Sequence, residues 1–173
     1  MVFMHPELRT AAAHLVRLRA AAELLHAADP VDALRYVDCA PAALRGMVER
    51  ARAAQKPLAE ANVEYSEARI RGGCAVRGEL VRAYRDEREA ADRTVMAGLR
   101  IADQLDGFAR AAARYAVHVA IEADTACVLV LDGDLTPEPA DLVYEACTAI
   151  VHQVEQYLLA IEGLASELDG LTG

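Results

Sequence analysis

Between Val143 and Leu168 an apolar residue returns every third or fourth position: Val143, Cys147, Ile150, Val154, Tyr157, Ile161, Leu164 and Leu168. A strand alternates its side chains with period two, so only an α-helix gathers these eight onto one face. The stripe predicts a helix of about seven turns whose apolar face must be covered by other elements. The loop DGDLTPEP at residues 132–139 marks its start, with Thr136 as N-cap, Pro137 at the first helical position, and Glu138 or Glu145 near the positive end of the helix dipole.

The same period organises most of the chain. Pro6 opens a first helix along Leu8, Ala12, Leu15, Leu18, Ala22 and Leu25, which Asp29-Pro30 ends. A short helical turn over Val31–Val37 follows, then a segment from Pro41 to about Ala54, a break or kink near residues 55 to 57 at Pro57, and a breaker at Gly72-Gly73. From Leu80 the residues Tyr84, Glu87, Ala91, Thr94, Gly98, Ile101 and Leu105 form a heptad-like seam. It continues in phase through Phe108, Ala112, Tyr115, Val119 and Glu122. Asp106-Gly107 interrupts this seam, and a turn there is expected because folding back would bury both stripes.

No strand-like alternation or internal repeat competes with this reading. The hydrophobic share is 54% with only 5% aromatic, so the apolar content is mainly Ala, Leu and Val, small residues that let helices approach closely. The expected fold is all-α: one domain over residues 1–173, an antiparallel helical bundle of four to five main helices, mostly long.

A net charge of -9 opposes binding to a phosphate backbone. Arg69, Arg71, Arg77, Arg82, Arg85, Arg88 and Arg93 alternate with Glu67, Glu79, Asp86, Glu87, Glu89 and Asp92, the mixture of a solvated, ion-paired helix face. Cys39, Cys74, Cys127 and Cys147 have no metal-ligand spacing, and the last three fall on apolar faces. The first residues carry no secretory pattern and no apolar stretch is long enough to cross a bilayer, so a cytoplasmic protein without membrane or nucleic-acid partners is expected.

Chemistry concentrates in Tyr115–Leu131, YAVHVAIEADTACVLVL, apolar nearly all round and so expected to be surrounded by other helices. His118 and Glu122 share one face of it with Thr125. A buried Glu122 needs a partner, either His118 or an arginine such as Arg110 or Arg114, or else a metal. The metal reading adds Glu23 and His26 of the first helix and Glu155, beside His152, of the last, with Glu64 or Glu67 to complete the set and Fe, Mn or Zn as the ion.

In residue type this set resembles the ligands of ferritin-like di-metal proteins, which implies a metal-dependent oxidase or hydrolase. It departs from that family in having one Glu-x-x-His, Glu23 to His26, and a reversed order at His152 and Glu155. Arg9 and His14 resemble the R-x4-H pattern of HEPN-type ribonucleases, a third reading. Glu87, on the seam beside Tyr84 and Ala91, is a further carboxylate to place. No nucleophile elbow or phosphate loop is present. On the last helix Ala149, Gln153, Gln156, Ala160 and Gly163 form a stripe able to seat a second subunit. The leading expectation is an interaction protein, homodimeric, binding itself, another protein or a small apolar ligand.

Overall fold

The computed structural model describes residues 2–40, 42–43, 45–50, 52–53 and 76–172, some of the last by backbone alone. Among the described residues every regular element is helical. They are α1 (Pro6–His14), α2 (Val16–Leu24), α3 (Pro30–Leu34), a 3-10 turn (Arg35–Val37), α4 (Val76–Glu122), α5 (Asp124–Leu131) and α6 (Pro137–Thr172), with helical stretches at 45–50 and nearby. The expectation that most helices are long is corrected here. α4 has 47 residues and α6 has 36, but α1 and α2 have 9 each, α5 has 8 and α3 has 5. No helix among the described residues is long and apolar enough to cross a membrane.

Local chemistry sets these boundaries. α1 and α2 are one run interrupted at Leu15 (φ -88°, ψ 0°), whose N–H is shared between Ala11 O at 3.1 Å and Ala12 O at 3.2 Å. The run stops at Leu24, short of Asp29-Pro30, because His26 turns left-handed with φ 53°. Ala27 N–H then donates to Ala22 O at 2.9 Å and His26 N–H to Glu23 O at 3.2 Å, the paired bonds of a Schellman closure. α5 closes identically at Gly133 (φ 97°), with Asp134 N–H on Leu129 O at 2.9 Å and Gly133 N–H on Val130 O at 3.1 Å. Asp29 caps α3, accepting from Val31 N–H at 2.8 Å and Asp32 N–H at 3.3 Å, with Pro30 at its first position. α6 begins at Pro137 as its sequence predicts, although the Thr136 hydroxyl donates to Asp134 at 2.6 Å.

The turn expected at Asp106-Gly107 is absent: α4 runs through it unbroken. The seam keeps its phase there, and a continuous stripe of Ala102, Ala109, Ala112, Ala113 and Ala116 is buried along it, so nothing is gained by folding back. A Cβ at Gly107 would meet nothing within 4 Å, so this glycine needs no special backbone. Asp106 does not cap a helix; it binds side chains. The break expected near residues 55 to 57, Gly72-Gly73, Cys74, Glu64 and Glu67 lie outside the described residues.

The chain divides into two compact units. The first, Met1–Pro41 with Asp103–Ser166, has a core of Leu8, Leu15 and Leu18 from α1 and α2, Leu34, the alanines of α4, Cys127 and Val130 of α5, and Val143, Cys147, Ile150 and Val154 of α6. Phe108 stacks on Tyr157 at 5.2 Å between centroids, and the Tyr144 hydroxyl donates to Leu25 O. The second, Ala42–Ala102 with Glu167–Gly173, buries Val95, Ile101 and Ala102 and pairs Arg100 with Glu167 at 2.8 Å. At Gly98 a Cβ would stand 3.1 Å from Val48 Cγ2, so the missing side chain admits that contact.

Candidate functional site

The burial expected for the His118–Glu122 face is corrected by the fold. Their side chains pair across one turn at 3.2 Å but are 67% and 66% exposed. An exposed carboxylate keeps its hydration, so Glu122 needs no metal to offset desolvation. His152 and Glu155 are likewise exposed and 3.9 Å apart, Glu23 and Glu87 are exposed, and His26 serves the turn after α2 with its side chain open to solvent. Among the described residues no three His, Cys, Asp or Glu side chains gather closely enough to hold a metal ion.

Arg110 and Arg114, considered as partners of Glu122, turn elsewhere. Arg110 binds Asp106 at 2.8 Å and Glu7 at 2.7 Å, and Arg114 lies 3.8 Å from the other oxygen of Glu7. This network centres on His5, which is 1% exposed. Its position before Pro6 makes it the N-cap of α1: Nδ1 accepts from Glu7 N–H at 3.2 Å, so the ring proton sits on Nε2, which donates to Asp106 Oδ1 at 3.1 Å. Asp38 fixes the preceding backbone by accepting from Met4 N–H and His5 N–H, both at 2.9 Å. Sequence reasoning passed over His5. The signals were its place before an N1 proline and the i,i+4 pair Asp106 and Arg110.

This cluster is polar without being an acid-base centre. Both His5 nitrogens are engaged, so neither is free to take a substrate proton. The hydrogen bond from Arg110 is the main cause holding the Asp106 carboxyl below its ordinary range. The nearby Cys39 thiol is pushed up by burial and then by Asp38 and Asp106, which opposes thiolate formation. Arg9 and His14 also diverge. The Arg9 guanidinium donates to Phe3 O at 2.9 and 3.3 Å in one groove, whereas His14 lines another.

That second groove holds the most exposed apolar surface of the Tyr115–Leu131 segment. It has a volume of 640 Å³ and runs between α2 and the end of α4 with α5, walled by Val16, Ala20, Ala120, Ile121 and Leu131. Arg17 bridges its walls, with one terminal nitrogen 2.5 and 2.7 Å from the two oxygens of Asp124. Ile121 is 67% exposed, Val16 and Leu131 of the same groove are exposed too, and so are Val128 and Leu129 of α5. From the end of α4 into α5, Ile121, Asp124, Val128 and Leu131 follow spacings of three and four, a second face apart from the one that packs into the core. Comparison with family models, curated proteins and solved structures gives no match to this chain.

Proposed function

We propose that this chain is a non-enzymatic helical-bundle interaction protein that works as a homodimer, its two copies joined through the groove between α2 and α5. The observation that carries the reading is the open face of Tyr115–Leu131. A helix apolar all round belongs inside a protein, yet Ile121, Val128, Leu129 and Leu131 of this one are exposed. Val16, Ile121 and Leu131 line one groove, and exposed apolar side chains gathered in this way mark an interaction face.

A second copy is the occupant that the charges favour. The groove carries one cation and one anion at its middle, Arg17 and Asp124, each about half exposed. A two-fold axis through that pair sets each arginine beside the partner's aspartate, as a self-complementary contact requires. The Ala149 to Gly163 stripe of α6, half-buried to exposed, offers only small and amide side chains and is the weaker face.

Sedimentation equilibrium of the intact chain tests the reading, together with Ile121→Glu. The expected result is a wild-type dimer in the micromolar range and a monomeric variant of unchanged helicity, because a glutamate at the centre of the face must be desolvated without a partner. A wild-type chain that stays monomeric up to about 100 μM, a concentration corresponding to only some 5.5 kcal/mol of association, would sink the proposal.

A further inference from the structure

We infer that the groove floored by Phe3, Ala12 and Val31 and rimmed by Arg9, Arg19 and Arg35 is a binding site for a small monoanion with an apolar body, a medium-chain carboxylate in type. Three guanidinium groups meet there in a chain of net charge -9. Arg19 is matched by Asp29 at 2.9 Å and Arg35 by Asp32 at 3.1 Å. Arg9 holds only the neutral carbonyl of Phe3, through Nε and one terminal nitrogen, and among the described residues no carboxylate pairs with it. Three arginines against two aspartates leave one positive charge at the rim of an apolar floor.

A guanidinium carries five N–H donors in a planar fork, so Arg9 keeps donors for a carboxylate after binding Phe3 O. A ligand with one negative charge balances the site, whereas a dianion would bring a second charge that no unmatched arginine among the described lining residues meets. The volume of 370 Å³ falls at the lower end of the range of about 300–1,000 Å³ typical of small-molecule sites, which sets the size of the apolar body. The site does not depend on the proposed dimer: Val16 is the one residue lining both grooves, and it is left untouched in the test.

Isothermal titration of the intact chain with octanoate, octanol and inorganic phosphate separates charge from apolar contact. Octanoate is expected to bind at least about tenfold more tightly than either of the others, since a charge-assisted hydrogen bond is worth about that factor or more. Arg9→Gln is expected to weaken octanoate about tenfold and to leave octanol unchanged. Arg35→Gln, which breaks only an exposed i,i+3 pair, keeps the test decisive if the Arg9 variant fails to fold. Arg100→Gln, in the other compact unit, serves as the control for lost charge and should not alter binding. Octanoate binding no tighter than octanol, phosphate binding as tight as octanoate, or an equal effect from Arg100→Gln would each overturn the site.

Discussion

His26 and Asp106 show how far a residue's neighbours outweigh its type. His26 and Gly133 occupy equivalent closing positions after α2 and α5, both with positive φ. Only glycine takes that conformation without steric cost, so His26→Gly is expected to stabilise the fold by about 0.5–1 kcal/mol, read from urea denaturation. A loss of stability would mean that the imidazole has a role the geometry does not reveal. Asp106 gives a pH-dependent prediction. Its carboxyl is lowered in the folded state, first by the hydrogen bond from Arg110, so its stabilisation is present above the unfolded value near 3.9 and is lost as pH falls through the folded value. Asp106→Asn should therefore cost about 1–3 kcal/mol at pH 6, with the gap to wild type narrowing below about pH 4. A gap constant between pH 6 and pH 2 would remove the charged carboxylate from the explanation.

At the scale of elements, α4 decides the character of the chain. Its seam runs from Leu80 to Glu122 in one phase, and the helix follows the seam past an aspartate and a glycine that in isolation read as a turn. Gly107 is exposed, and a methyl group there would touch nothing within 4 Å. Gly107→Ala is accordingly expected to raise stability by about 0.5–1 kcal/mol, through the lower entropy of the unfolded chain, with a matching rise in Tm. Were residues 106 and 107 a working turn, the same change would destabilise the protein.

At the scale of the whole molecule, the interior seals two thiols. Cys147 is pushed up to about 12, chiefly by burial, then by Cys127 and Asp29; Cys127 is itself raised, again foremost by burial. Thiolate attack at these positions therefore requires the core to open. Under native conditions at pH 8 a thiol-specific disulfide reagent should leave Cys127 and Cys147 unmodified until the unit that holds them unfolds, as peptide mapping by mass spectrometry would record. Rapid labelling of either in the native state would place an opening in the core that this packing does not contain.

Much of this was legible in the residues alone. The three-to-four spacing dictates helix over strand, Pro6 and the Thr136-Pro137 pair place two helix starts, and Cys127 and Cys147 lie on the stripes that are buried. Periodicity fixes the angle of a side chain about its own helix axis and carries no information on what stands opposite. That is why Glu122 reads as buried in the sequence and is exposed in the fold: its face of Tyr115–Leu131 is not covered by another element among the described residues. For the same reason the His5–Asp106 bond joins positions 101 residues apart, each with a local signal of its own and neither with one that points to the other. Local spacing determined the elements, whereas the pairing of distant faces, set by which apolar surfaces close on one another, determined where the polar groups and the open grooves lie.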